Sequence, residues 1–329
     1  MYSFKFQLFL YCVVSLLASC NSANTDSELF VLKKNTGIDF TNTIQDTKSM
    51  NIFNYRNFYN GGGVAIGDIN NDGLADVFFT ANQGKNKLYL NKGDFKFDDI
   101  SIKAGFTEKQ QWSTGVVFAD INQDGWLDIF ISNAGNMLNM DLRKNQLFIN
   151  NKDLTFTESA EKYGLANSGY TTQVSFFDYD GDGDLDCFMI NNSPIPVNTL
   201  NYANKRELPA QKWDVPDMLK GGGDHLYRND DGKFMEISQE AGIHGSLISF
   251  GLGVTVGDVN GDGWPDIYVS NDFFERDYLY INQQNGHFKD ELEERMQHTS
   301  LASMGADMVD MNNDGFTDIF TTDMLPLDN

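Results

Sequence analysis

Asp178-Tyr179-Asp180-Gly181-Asp182-Gly183-Asp184-Leu185-Asp186 is the fullest copy of a nine-residue loop that occurs five times. The other copies run Asp68 to Asp76, Asp120 to Asp128, Asp258 to Asp266 and Asp310 to Asp318. Side-chain oxygens stand at positions 1, 3, 5 and 9: Asp68, Asn70, Asp72 and Asp76; Asp120, Asn122, Asp124 and Asp128; Asp178, Asp180, Asp182 and Asp186; Asp258, Asn260, Asp262 and Asp266; Asp310, Asn312, Asp314 and Asp318. Position 6 is always glycine. Hard cations such as Ca²⁺ take six to eight oxygens from a flexible loop, and glycine permits the sharp turn around the ion. The backbone carbonyl at position 7 (Leu74, Trp126, Asp184, Trp264 and Phe316) adds a further expected ligand, giving up to five Ca²⁺ sites.

The rival reading is an EF-hand, which needs a glutamate at position 12 and a helix on each side. Position 12 is Phe79, Ile131, Met189, Val269 and Thr321, so that glutamate is absent each time. The flanks are short β-branched and aromatic runs, such as Val116-Val-Phe-Ala before a loop and Ile129-Phe-Ile-Ser after it, which read as strands. A metal-free Asp/Asn/Gly hairpin turn would explain one copy; five copies matching at every ligand position favour a metal.

The repeat extends past the loop. A second strand signature follows: Asn86-Lys-Leu-Tyr-Leu-Asn91, Asn145 to Asn150, Asp224 to Asn229 and Asp277 to Asn282. A third begins at Phe97, Phe156 and Phe234 and leads to Ala104-Gly105, Tyr163-Gly164 and Ala241-Gly242. Loop-to-loop spacings are 52, 58, 80 and 52 residues. Four strands in a unit of this length predict an all-β fold, a β-propeller of four-stranded blades. Residues 29–38 read as one more outermost strand. The fifth unit stops soon after its second strand, so about four and a half blades are expected, as the N-terminal fragment of a longer protein.

The first residues carry one Lys, an apolar run from Phe6 to Leu17, then Leu17-Ala-Ser-Cys20. This reads as a secretory signal, too short to span a membrane as an ordinary helix. Its end resembles a bacterial lipoprotein signal, which implies cleavage before Cys20, acylation of that cysteine and a bilayer anchor. The expected organisation is a signal over 1–19, a lipidated linker over 20–28 and blades over 29–329. Asn21 after the cysteine points to the outer membrane without saying which face. Cys187, in a predicted buried strand, is the only other cysteine beyond the signal, so no internal disulfide is expected. The formal charge is −23, and sixteen Asp are loop ligands, so much of the acidity is metal-ligand charge. The remainder argues against nucleic-acid binding.

The aspartate loops, with Leu-Tyr-x-Asn and Phe…Ala-Gly after them, resemble FG-GAP/VCBS-type repeats, the calcium-loop blades of integrin alpha-subunit propellers. The start, Gly37-Ile-Asp-Phe40 and Asn57-Phe-Tyr-Asn-Gly-Gly-Gly63, is similar to bacterial exported members related to cartilage acidic protein, which often continue into an ASPIC/UnbV domain. The resemblance covers roughly residues 29–329 and implies a seven-bladed propeller in the full-length protein, with metal in the five loops. Asn at position 3 in four loops departs from the pattern and lowers site charge.

Metal loops on one edge of the blades leave the opposite edge to other connections. Residues 191–223 form a long insertion there, with Pro194, Pro196, Tyr202, Lys205, Arg206, Lys212, Trp213 and Lys220. It is a candidate contact for an anionic or glycan ligand through Arg206 and Trp213, or else a loop that packs its Trp onto the blade. Trp112, Tyr170 and Phe250 stand eight residues before successive loops, and are either a sugar-stacking ring or core packing. His225, His244, His287 and His298 show no paired zinc spacing, and there is no nucleophile elbow. The expected function is a non-catalytic, lipid-anchored, calcium-stiffened module for adhesion to or capture of an extracellular or periplasmic glycan or protein. The alternative is a lyase-like polysaccharide-degrading enzyme using Lys, Arg or Tyr.

Overall fold

The computed structural model describes residues 30–106, 111–195 and 205–324. The signal, Cys20, Pro196 and Tyr202 lie outside the described residues. Residues 30–36 belong to a separate unit ending at Thr36, and no strand is assigned in them. The strand expected over 29–38 is therefore not present among its described residues.

From Gly37 onward the chain forms antiparallel meanders. The first sheet is β1 (Val64–Gly67), β2 (Asp76–Phe79), β3 (Lys87–Asn91) and β4 (Phe97–Asp99). The second is β5 (Trp112–Ala119), β6 (Asp128–Ala134), β7 (Gln146–Asn150) and β8 (Phe156–Glu158). The third is β9 (Thr171–Phe177), β10 (Asp186–Asn191), β11 (Gly223–Asn229) and β12 (Phe234–Glu236). The fourth is β13 (Gly251–Gly257), β14 (Asp266–Asn271), β15 (Tyr278–Asn282) and β16 (Phe288–Asp290), and β17 (Ser303–Val309) pairs with β18 (Asp318–Asp323). The chain is thus all-β, with four four-stranded sheets and one two-stranded sheet. The first strands of successive sheets lie side by side, from β1 to β5, β9, β13 and β17.

The core lies between the faces of successive sheets. In β6, Ile129 and Ile131 pack with Phe78 and Leu88 of the first sheet, whereas Phe130 packs with Met189 and Phe234 of the third. In β10, Cys187 and Met189 face the second sheet and Phe188 and Ile190 the fourth. Side chains alternate between faces with a period of two, so a strand covered on both sides is apolar throughout. This is why the runs after each loop are continuous rather than alternating. Cys187 is buried, as its strand position predicts.

Each outer strand leads into a single helical turn: Ser101–Ala104, Ala160–Tyr163, Ser238–Ala241 and Leu292–Arg295. The first three end on Gly105, Gly164 and Gly242 in left-handed conformation (φ 101°, 85° and 81°). Each of these glycines faces the carbonyl oxygen of the phenylalanine that opens the next outer strand, Phe156, Phe234 or Phe288. Gly37 (φ 93°) stands in the same relation to Phe97. It occupies the position of a sheet's terminal glycine with no strand before it among the described residues. The fourth turn ends instead on Met296 in extended conformation, so β16 carries no Ala-Gly signature.

Residues 37–60 lie over one edge of the first sheets. Phe40 stacks on Phe79 with ring centres 4.9 Å apart, Tyr89 donates to Asp39 at 2.7 Å, and Tyr55 and Phe58 pack with Trp112 and Tyr170.

Candidate metal centre

All five loops join paired strands in one register. Gly67 faces Asp76, Ala119 faces Asp128, Phe177 faces Asp186, Gly257 faces Asp266 and Val309 faces Asp318. Position 12 falls on a strand every time, on β2, β6, β10, β14 and β18, which excludes the EF-hand arrangement. The position 6 glycines, from Gly73 to Gly315, have φ between 82° and 94°, with open space where a Cβ would stand. Backbone conformation, not crowding, requires glycine there.

Backbone amides preorganise the carboxylates. The position 9 aspartate accepts from the position 2 N–H at 3.0–3.1 Å in every loop. In the four complete sheets its other oxygen accepts from the asparagine N–H that ends the third strand: Asn91, Asn150, Asn229 and Asn282, at 2.7–2.9 Å. The position 1 aspartate accepts from the position 6 glycine N–H in all five loops, at 2.7–3.0 Å. Neighbouring loops also touch: Asn71 Nδ2 donates to Gly125 O at 3.0 Å and Gln123 Nε2 to Gly183 O at 2.8 Å.

Position 3 separates the loops into two kinds. Asn70, Asn122, Asn260 and Asn312 each donate their amide to the position 5 aspartate, at 2.9–3.2 Å. Those four loops close on themselves. In the third loop Asp180 cannot donate, and its Oδ1 is buried with no hydrogen-bond partner. Among the described residues, Asp178, Asp180 and Asp186 bring one carboxylate oxygen each within 4.8 Å of one another. Burial pushes Asp186 up to about 7, against the Asn229 and Tyr179 amides and with help from Asp180 and Asp184. Burial and Asp182 raise Asp180, and the same two causes bring Asp184 to about 6. Burial also raises Asp128 to about 6, and raises Asp76 and Asp266. Burial first and the neighbouring carboxylates second raise these groups, with Arg228 offsetting part of the rise at Asp180, and an all-oxygen donor set with an orphaned oxygen fits a hard divalent cation. One aspartate triad could therefore hold a metal. Asp184, expected to contribute only its carbonyl, also has a side-chain oxygen, Oδ1, that is buried and unpartnered.

The aromatic candidates lie inside. Tyr170 is fully buried, Trp112, Phe250 and Trp213 are almost so, and the packing alternative describes where they sit. Trp213 packs with Ala210, Leu247 and Ile248, and its ring nitrogen donates to Leu208 O at 3.0 Å. Arg206 donates to Glu275 at 2.7 Å and ties the insertion to the fourth sheet. Sequence reasoning missed Arg143, a buried cation that ends the Met140–Leu142 turn; nothing in its local sequence marks it.

The FG-GAP-like repeat family matches residues 68–131, 134–189, 217–269 and 258–321. Cartilage acidic protein 1 of Xenopus tropicalis is 34% identical over 136 residues, 41% of this chain and 20% of that protein. Its Homo sapiens counterpart is 31% identical over 134 residues, 40% of this chain and 20% of that protein. The match thus spans about a fifth of the length of these curated relatives. Among solved structures, an Agrocybe aegerita lectin described as recognising non-reducing terminal N-acetylglucosamine is 17% identical, with a TM-score of 0.43 over 77% of this chain and 59% of that one.

Proposed function

We propose that this chain, which belongs to the FG-GAP-like repeat family, is a calcium-stiffened recognition module built as β-propeller blades, seven in the full-length protein. The converging Asp178, Asp180 and Asp186, with the orphaned Asp180 Oδ1, carry this reading. Ca²⁺ suits the oxygen donor set, and the other four loops are further, weaker sites once their asparagines turn an oxygen inward. The metal is structural: it neutralises carboxylates that hold hairpins together and leaves the opposite loops to meet a glycan or protein ligand. Export and acylation at Cys20 place the module on the cell envelope, at the outer membrane.

A lyase-like enzyme is the second reading, and it would need a free base. The Tyr170 hydroxyl donates to Met218 O at 2.8 Å and accepts from Arg143 at 3.0 Å, so it is already committed. Calorimetric titration with CaCl₂ tests the first reading, beside melting curves in CaCl₂ and in excess EGTA. Expected are saturable binding and a higher melting temperature with calcium. Identical melting curves in both buffers would remove the metal from the account.

A further inference from the structure

A cavity of about 460 Å³ lies between the β6–β7 connection and the insertion that joins β10 to β11. Arg143 lines it, yet its side chain is only 2% exposed. The guanidinium lies over the Tyr170 ring, 4.2 Å from its centre. Nε donates to Ser168 O at 2.9 Å, and Nη1 donates to Asn136 O at 2.8 Å and to the Tyr170 hydroxyl at 3.0 Å. An arginine has five N–H donors, so these bonds use three and leave both hydrogens of Nη2. Among the described residues Nη2 has no protein partner, and no carboxylate forms an ion pair with Arg143.

That absence is unusual in a chain with 47 acidic and 24 basic residues. A buried charge without a counter-charge is destabilising, and the Tyr170 face offsets only part of the cost. The rest of the lining is close to neutral, since Lys220 and Asp217 offset one another, so Arg143 supplies the unpaired positive charge. Lys220 stands in the lining, held by exposed Asp217 at 3.0 Å. Of the lining amides, Asn167 and Asn191 are engaged with one another and with Gly169, Thr171 and Tyr227, while Gln211 is exposed and can meet a hydroxyl group. The volume falls within the range of about 300–1,000 Å³ usual for small-molecule sites.

We propose that this cavity takes the carboxylate of an acidic sugar residue, with Arg143 Nη2 as its buried counter-ion and Lys220 and Gln211 at the mouth. Arg143 gives the pocket one unpaired positive charge, enough for a single carboxylate, and the hydroxyls beside that carboxylate distinguish an acidic sugar from an acidic peptide of equal charge, to which the formal charge of −23 is equally unfavourable. The assignment deepens the recognition reading and rests on it.

The test is calorimetric titration of the calcium-loaded chain with a galacturonic acid trimer, a galactose trimer and a tri-glutamate peptide. Expected is binding of the acidic trimer, at least tenfold tighter than either of the others. Arg143→Gln should weaken it at least tenfold; because the change also leaves the Ser168, Asn136 and Tyr170 oxygens without their donor, a lower melting temperature is expected, and binding is compared on variant protein whose circular dichroism matches wild type. Should Arg143→Gln fail to fold, Lys220→Gln with Gln211→Ala, both on the rim, should still weaken acidic-trimer binding several-fold. Equal affinity for both sugars, preference for the peptide, or unchanged affinity in the folded variants would overturn the assignment. A chain that binds the neutral trimer alone would keep the recognition reading and lose this site; a chain with no calcium response and no sugar binding would lose both.

Discussion

Asn282 Nδ2 donates a 2.8 Å hydrogen bond to the carbonyl oxygen of Tyr179, 103 residues earlier in the chain. Tyr179 is the second residue of the third loop, and its own N–H is held by Asp186. Asn282 ends β15 in the next sheet, and its N–H is held by Asp266. One asparagine thus stitches a loop to the sheet beyond it. Asn150 does the same for Ile69 of the first loop, at 2.8 Å. Asn282→Ala leaves a buried carbonyl without its donor, which costs about 1–3 kcal/mol. Urea unfolding should show a lower midpoint with an unchanged slope. An unaltered midpoint would mean that the stitch adds nothing.

The third loop differs from the others by one atom type at position 3. Asp180→Asn should let it close on itself as the other four do, and lower its calcium affinity. A site held at ~100 times its dissociation constant contributes about 2.7 kcal/mol, so most of that loop's calcium-dependent stabilisation should go. Asn70→Asp should do the reverse in the first loop. The readout is the melting shift between EGTA and matched free calcium. Equal shifts in wild type and Asp180→Asn would refute the distinction.

Terminal glycines should differ in their tolerance of a methyl group. A Cβ on Gly164 would stand 2.5 Å from Phe234 O, whereas one on Gly105 would stand 3.8 Å from Phe156 O. Both glycines are left-handed, so alanine carries about 1–2 kcal/mol of backbone strain at either. Only Gly164→Ala adds a backbone collision, and it should melt well below Gly105→Ala. Matching melting temperatures would show that the sheets slide apart freely.

Asp224 supplies a pH signature away from the metal loops. It is fully buried, accepts from Ser249 at 3.1 Å, and has an unpartnered Oδ2. Burial pushes it up to about 8, and Glu275 adds to the rise. Below the ordinary carboxylate range it is protonated folded or unfolded. Between that range and pH 8 only the folded chain keeps the proton, so stability falls as pH rises and levels off above 8. Asp224→Asn should therefore gain on wild type more at pH 8.5 than at pH 5 in denaturant titrations. A pH-independent difference would exclude Asp224 as the group responsible.

The five loops and most strands were legible because they depend on local pattern: ligand spacing, a turn glycine and short apolar runs. The last outer strand, Phe288–Asp290, was harder to see because its helical turn ends on Met296 instead of glycine. Spacing placed Trp112, Tyr170 and Phe250 at equivalent positions, but spacing cannot report what covers a side chain; for Trp112 and Tyr170 the cover is Tyr55 and Phe58, from a segment with no repeat signature. Arg143 was invisible for the same reason, since its partners Asn136, Ser168 and Tyr170 mean nothing until the chain folds.

The glycine-to-phenylalanine contact has a consequence for how such chains change over generations. Gly37, Gly105, Gly164 and Gly242 each meet the next outer strand through the same backbone oxygen. This backbone contact recurs at each of these junctions, beside the side-chain core that lies between the sheets. Excising or duplicating one repeat would keep this backbone contact, while the side chains packed between the new neighbours would have to be refitted. A change in repeat number is thus limited by the side chains between sheets and not by the glycine contact.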